Sequence, residues 1–199
     1  MPSQLRHTHR QRGMSLIVVL LLLSITMALG IGAVQLSLMG EKSSRNERDY
    51  QIAWQAAESG LTDAEFDIDA KNAGSSTRTS LFAAENALAF LEGCGTSGTS
   101  RGLCLHTEVG KPVWLTVNLS STDSPAVAFG TFTNRSFDAG DSGIKSRQSP
   151  RYIIELIDDT AARGDASIGR EKKYVYRITS MGFGPREDIQ AVNQSIYRK

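Results

Sequence analysis

The hydrophobic pattern begins with one long apolar stretch, residues 14–40, which contains no charged side chain. At about 27 residues, it is long enough to cross a lipid bilayer as one helix. From Glu41 onward the sequence is densely charged, but apolar residues recur at three- and four-residue steps, which predicts an amphipathic helix. The predicted apolar stripe consists of Tyr50, Ala53, Trp54, Ala57, Leu61 and Ala64. Because no proline interrupts the run, we predict a single helix from Met14 to about Phe66, roughly 80 Å long.

The second half of the chain changes to a period of two, the pattern of strands with one buried face. Strands are predicted at residues 113–119, 152–157, 173–181 and 189–197, with a weaker candidate at 126–133. The last two are joined by residues 182–188, whose glycines and proline suit a hairpin connection. Residues 71–79 and 134–150 are predicted loops, and residues 80–91 a second, short helix.

A helix first and strands afterwards predict an α+β fold, in which an antiparallel sheet covers the amphipathic half of the long helix. The second short helix precedes the sheet. We divide the chain into a leader at 1–13, the apolar half of the helix at 14–40, its amphipathic half at 41–70, and an α+β domain at 71–199.

The leader is basic, with Arg6, Arg10 and Arg12 and no acidic residue. The positive-inside rule keeps it in the cytoplasm and places everything after Gly40 across the membrane. A secretory signal peptide has a shorter apolar core, about 7–15 residues, with a cleavage site behind it, whereas here a small-residue boundary, Gly13–Met14, lies in front. The formal net charge is only +1 and becomes mildly negative without the leader, so the composition does not indicate nucleic-acid binding.

The two cysteines, Cys94 and Cys104, are expected in an oxidising compartment such as a periplasm. They border a loop rich in glycine, serine and threonine. A disulfide between them would stabilise the fold by about 2–3 kcal/mol, chiefly by restricting the unfolded chain.

Three short motifs have simpler explanations than a binding site. The G-x-G-x-x-G pattern at residues 93–98 lacks the preceding strand and following helix of a dinucleotide site. Asp63, Glu65, Asp67 and Asp69 lack the glycine and glutamate of an EF-hand, so we predict a solvated helix end. The Arg-Gly-Asp tripeptide at residues 163–165 is explained by a turn between strands.

The loop from Asp138 to Gly143 is the better candidate for calcium, although such loops are common. His7 and His9 lie in the leader and His106 stands alone, so the histidines form no constellation. The sequence contains no nucleophile-elbow, zincin or P-loop motif. We therefore expect no catalytic residue, no cofactor and no metal site, and interpret the chain as a non-enzyme.

The residues at 12–16 (RGMSL) and 53–61 (AWQAAESGL) resemble the amino-terminal region of the PilX family of type IV pilus minor pilins. Residues 152–156 (YIIEL) and 176–182 (YRITSMG) resemble later strands of that family. The resemblance implies a class III (prepilin) leader, which a prepilin peptidase cleaves after Gly13, followed by N-methylation of Met14.

The resemblance also implies where the protein acts and with what. It would lie in the bacterial inner membrane with a periplasmic domain, and then enter a cell-surface pilus, initiating assembly at or near the tip. Its partners would be the prepilin peptidase, the major pilin, other minor pilins and a large adhesin-like tip protein, with roles in twitching motility and adhesion.

One residue departs from the general pilin pattern. Major pilins carry glutamate at the fifth mature position, where it pairs with the amine of a neighbouring subunit, and here that position is Val18. A carboxylate in lipid costs at least about 2.5–3.5 kcal/mol, so it is retained where it has a role. We expect a subunit without it not to dock beneath an earlier one, as would suit a first or tip subunit.

Two alternatives remain open at this point. A minor pseudopilin of a type II secretion system also lacks this glutamate when it occupies the tip. A single-pass membrane anchor for a periplasmic binding or enzymatic domain would share the apolar segment. If the helix is extracted into a fibre, Gly30 and Gly32 are the expected places for it to loosen.

Overall fold

The computed structural model describes residues 14–69, 76–82, 87–139, 143–159 and 174–199. Contacts divide the chain into two compact units, one ending at Asn46 and one beginning at Glu47. The second unit contains the sheet and every buried residue named below.

Helix α1 spans Met14–Ile68, which confirms the predicted single helix and its two halves. Its exposed surface carries ion pairs one turn apart, such as Glu41 with Arg45, and Trp54 Nε1 donates to Glu58 Oε1 at 2.8 Å. At the last turn, the ammonium of Lys199 donates to the carbonyl oxygen of Ile68 at 3.1 Å. A cation at this end suits the unpaired carbonyl groups and the negative end of the helix dipole.

The remaining elements are short until the sheet is reached. Two 3₁₀ turns lie at Thr79–Phe82 and Gly98–Ser100, and a one-turn helix α2 lies at Val113–Thr116. The strands are β1 (Leu103–Leu105), β2 (Val127–Ala128), β3 (Arg151–Asp158), β4 (Tyr174–Phe183) and β5 (Gln190–Tyr197).

The sheet is mixed, in the order β1-β3-β4-β5, and its three long strands are antiparallel. β1 runs parallel to β3, and β2 pairs with the first residues of β3. The predicted α+β class, the three long strands and the hairpin between β4 and β5 are thereby confirmed. β1 was not predicted, because a strand of three residues is too short to show a hydrophobic period.

A first core lies between the sheet and the Glu47–Ile68 part of α1. It contains aliphatic and aromatic side chains from both elements and from the intervening loops: Ala64, Ile68, Phe82, Phe90, Leu103, Tyr152, Ile154, Tyr176 and Ile178 among others. The helix packs closely at two glycines. A Cβ at Gly60 would meet Ser180 Oγ, and one at Gly182 would meet the backbone of Ala53 and Ala57.

A second core covers the other face of the sheet. Ile153 alternates with Ile154 along β3 and packs against α2 and the cysteine loop. Its members are Cys94, Cys104, Val113, Leu119, Ala126 and Ile153, with Trp114, Val117 and Met181 packed beside them. The sheet therefore has two covered faces over β3, one by α1 and one by the loop segment.

The predicted strand at 113–119 is wrong, because Val113–Thr116 forms a helical turn. Pro112 precedes it with φ near −55°, and Val117 N–H donates to the Val113 carbonyl at 3.0 Å. Leu115, which a strand would bury, is 57% exposed. The four-residue spacing of Val113 and Val117 fits one helical turn as well as an alternating strand does.

Within the described residues of the predicted second helix, Thr79–Phe82 form a 3₁₀ turn and residues 88–91 form a turn and a bridge; residues 83–86 lie outside the described chain. Its expected apolar face is not buried, since Leu88 is 92% exposed. Phe82 and Phe90 insert into the core instead, each with its ring centre within about 6 Å of the Tyr176 ring. The strand candidate at 126–133 shortens to β2.

The predicted apolar stripe of α1 is wrong at two positions. Tyr50 and Trp54 are each 42% exposed, while the residues towards the sheet are smaller or polar. The buried positions are Asp49, Ala53, Ala56, Ala57, Gly60, Asp63, Ala64, Asp67 and Ile68. The small side chains permit the close helix–sheet approach, and the large aromatic rings are displaced to the outer surface.

Candidate functional site

The apolar half of α1 presents an uncovered hydrophobic surface. Its large apolar side chains from Leu16 to Met39 are 47% to 72% exposed. The helix is long and apolar enough to cross a membrane, and the apolar window is not buried within the chain. A surface of this size requires an apolar environment, which a bilayer or other apolar helices can supply.

Two of the polar side chains in this half bond to the helix itself. Ser24 Oγ donates to the Leu20 carbonyl at 2.8 Å, and Thr26 Oγ1 donates to the Leu23 carbonyl at 3.0 Å. The hydroxyl hydrogen of each residue is thereby bonded within the helix, which is necessary where lipid offers no acceptor.

The predicted processing residues lie at the start of this helix. Gly13 is outside the described residues, and α1 begins at Met14. Val18 lies on the helix, 54% exposed among other aliphatic side chains. The cleavage, the methylation and the docking role of position 18 stay predictions.

A buried ion pair lies where α1 meets the cysteine loop. The Arg78 side chain, 0% exposed, donates from Nε to both carboxylate oxygens of Asp67, at 2.9 and 3.0 Å, and also from its Nη2. Tyr152 donates its hydroxyl hydrogen to Asp67 Oδ2 at 3.0 Å. Burial, followed by the charge of Asp67, raises the pKa of Tyr152 well above its ordinary value, so the hydroxyl remains a donor.

The remaining Arg78 donors bond to the cysteine loop. Nη1 donates to the carbonyl oxygens of Thr99 and Arg101, at 2.9 and 2.6 Å, and the guanidinium lies 3.6 Å from the ring centre of Phe132. Arg78 thus connects the end of α1 to the loop between the cysteines. An arginine that is buried and bonds at once to a carboxylate and two carbonyls is fixed in place, which indicates a structural role.

Asp63, one helical turn before Asp67, anchors a second segment. Its carboxylate accepts hydrogen bonds from the Gly130 N–H at 2.7 Å and from the Thr133 hydroxyl at 2.5 Å, with Arg135 at 3.6 Å. Burial raises the pKa of Asp63, and these hydrogen bonds and the Arg135 charge oppose that rise in part.

The predicted solvated helix end is therefore wrong for both aspartates, which are 0% exposed. Their four-residue spacing, in register with Ala53, Ala57 and Gly60, was the available signal of a buried face. No sequence motif indicated Arg78, because its partners come together only in the fold.

The cysteine loop is closed as predicted, by a Cys94–Cys104 disulfide with Cα atoms 4.1 Å apart. Gly95 pairs with Arg101 inside the loop, and Leu91 bridges Cys104 at the outer edge of β1. The G-x-G-x-x-G pattern thus lies in a disulfide-bonded loop, which accounts for its glycines without a nucleotide.

A further charged group lies on the outer face of the sheet. The buried Glu155 carboxylate accepts two bonds from Arg177, at 2.9 and 2.7 Å, and His106 lies 3.9 Å from the same carboxylate. Glu155 and Arg177 lie opposite each other on β3 and β4, and their charges neutralise each other. His106 is thus not alone, although the sequence predicted no partner.

The other candidate motifs form no binding site within the described part of the chain. Among the described residues, no three His, Cys, Asp or Glu side chains are placed to hold a metal ion together. Asp138 is exposed, but Asp141 of the predicted calcium loop lies outside the described residues, as does the tripeptide at 163–165.

Two family models match the chain. Residues 12–62 match the PilX N-terminal model, and residues 100–199 match the model described as type IV pilus assembly protein PilX C-term. No curated protein and no solved structure matches it. The two matched regions contain most of α1 and the whole sheet, and together they cover most of the sequence. The chain therefore belongs to the PilX family of type IV pilus proteins, a family of structural pilins.

Proposed function

We propose that this protein is a non-enzymatic minor pilin that primes type IV pilus assembly and is incorporated at or near the pilus tip. The observation that carries the proposal is the uncovered apolar half of α1 in front of a PilX domain. This surface is first covered by lipid in the inner membrane, with the domain in the periplasm, and afterwards by the apolar helices of neighbouring subunits in the fibre.

Processing belongs to the same proposal. A prepilin peptidase cleaves after Gly13 on the cytoplasmic side, and the new amino group of Met14 is methylated. Removal of the basic leader is necessary because its arginines would otherwise hold the helix at the membrane surface.

Val18 supports an early place in assembly. A helix without a carboxylate at this position has no group to neutralise the amine of a subunit already in the fibre. The protein is therefore suited to be a first subunit, contacted by later ones. Val18→Glu should redistribute it from the tip along the fibre, as seen by immunogold labelling of sheared pili. A tip location that is unchanged in Val18→Glu would contradict this role.

The position of a first subunit at the pilus tip determines which proteins it contacts. We propose contacts with the other minor pilins and a large adhesin-like protein at the tip, and with the major pilin below. Twitching motility and adhesion would then depend on this chain indirectly, through the number of fibres and the protein that their tips carry.

Deletion of the gene tests the proposal. Surface pili and twitching should be lost, and both should return when the full-length protein is supplied in trans. Normal pili with retention of secreted enzymes would instead assign the protein to a type II secretion pseudopilus. Normal pili with normal secretion would contradict both assignments and favour an anchored periplasmic domain.

A further inference from the structure

Strand β5 forms an edge of the sheet, and the outer side of its residues 190–196 is unpaired within the described part of the chain. Its one neighbour among the described strands is β4. The opposite edge differs, since β1 is only three residues long and Leu91 bridges its outer side at Cys104. A strand can therefore be added to this sheet at β5.

The ladder shows which backbone groups of β5 are available. Gly184 N–H donates to the Ile189 carbonyl at 2.8 Å, and the register continues from Phe183 opposite Gln190. Because antiparallel ladders alternate, residues 191, 193 and 195 bond to β4, while the N–H and carbonyl groups of 190, 192, 194 and 196 point outward. Four consecutive outward positions provide the backbone groups for a complete added strand.

The side chains of β5 lack the usual protection of an edge. Exposed edges are commonly blocked by charges, prolines or bulges, but residues 190–197 contain no charge and no proline, and pair with β4 without a bulge. Val192 and Ile196, on the outer face, are 44% and 69% exposed.

The other face of β5 carries unsatisfied polar atoms. Asn193 Oδ1 and Ser195 Oγ are buried, and no hydrogen-bond partner for either is found among the described residues. Both atoms are already enclosed by the fold, so the side chains that an added strand can contact directly are those of the outer face.

We propose that the outward edge of β5 binds an extended strand of another minor pilin. This rests on the proposed function, in which different pilins assemble into one priming complex. The incoming segment is uncharged and places apolar side chains beside Val192 and Ile196. Main-chain hydrogen bonds supply the affinity, and the contacts with Val192 and Ile196 supply the register.

Amide hydrogen exchange tests the geometry. The probe is each other full-length minor pilin of the same cell, co-expressed with the full-length chain and purified in detergent. In the chain alone, the amides of residues 192, 194 and 196 should exchange rapidly and those of 191, 193 and 195 slowly. In a complex, the first set should slow by at least about tenfold.

Three outcomes would overturn the inference. The first is a complex that forms without slowing the outward amides. The second is slow exchange of the outward amides in the chain alone, because two copies pair through β5. The third is that no minor pilin binds. The first two leave the proposed function standing. Loss of pili on deletion is the separate result that decides that function.

A pair of variants isolates the backbone. Val192→Pro removes one outward N–H but no bond to β4, which an edge strand tolerates, whereas Val192→Ala keeps the N–H and trims the side chain. Proline should weaken the pilin complex at least about tenfold and alanine less than about threefold. Equal binding by the proline variant and the wild type would contradict strand addition. If the proline variant fails to fold, Val192→Lys, which adds an edge charge, should weaken binding similarly while the melting temperature stays unchanged.

Discussion

At the scale of single residues, the most informative group is the buried carboxylate–guanidinium pair of Asp67 and Arg78. Neither side chain has any exposed area, and each is held by further partners on other elements. The sequence predicts that Asp67 lies in a solvated helix end, because acidic residues are usually exposed. Only the fold reveals that an arginine eleven positions later reaches it.

Arg78→Met should lower the free energy of unfolding by about 3–5 kcal/mol, because it leaves the Asp67 carboxylate buried without a counter-charge. Chemical denaturation followed by tryptophan fluorescence measures this loss in the free energy of unfolding. Asp67→Asn combined with Arg78→Met should recover part of the loss, since no charge then remains. Arg147→Ala, at an exposed pair with Glu187, is the control and should leave the denaturation midpoint unchanged. An Arg78→Met midpoint equal to that control would refute the structural role.

Asp63 gives a prediction about pH. Burial raises the pKa of this carboxyl, so between its unfolded value, about 4, and its folded value the native state holds the extra proton. Its contribution to stability is therefore greatest below about pH 4 and falls as the pH rises through that window. Thermal melts of wild type and Asp63→Asn across pH 3 to 7 should show that the wild type loses stability relative to the variant as pH increases. A difference that is constant with pH would contradict the shifted pKa.

At the scale of elements, the helix and the three long strands were predictable because each has a long, regular hydrophobic period. The strand at 113–119 was mistaken because the spacing of Val113 and Val117 fits one helical turn as well as a strand. The segment at 80–91 was mistaken because Phe82 and Phe90 enter the core there, and not the predicted apolar face with Leu88. Tyr50 and Trp54 were assigned to the buried face by hydrophobicity, but contact between backbones favours alanine and glycine there. The disulfide was predictable from compartment and spacing, whereas the Arg78 contacts were not.

The close approach of α1 and β4 can be tested at Gly182. A Cβ there would lie 2.1 Å from the Ala53 carbonyl oxygen and 2.2 Å from the Ala57 nitrogen, so Gly182→Ala must displace the helix. We expect a loss of about 1–3 kcal/mol or more in the free energy of unfolding. Gly40→Ala, with nothing within 4 Å of the added carbon, serves as the matched control and should not destabilise the protein. Equal stability of the two variants would show that the helix does not pack so closely.

At the scale of the whole molecule, the chain combines a surface that requires lipid or other helices with a domain that has its own hydrophobic cores. The first is uniformly apolar and uncovered, and the second has two cores and a disulfide. This combination, together with membership of the PilX family, agrees with the proposed transfer of the protein from a membrane into a fibre. The family was identifiable from the segments at 12–16 and 53–61, while the edge of β5 became apparent only from the strand order.

The central claim is that the apolar helix is a processed pilin helix and not a permanent anchor. The most direct measurement is mass spectrometry of the amino terminus of the protein recovered from sheared surface fibres. We predict a chain that begins at Met14 with an N-methylated amine. A chain that retains residues 1–13 and is found in the membrane fraction but not in fibres would contradict the account.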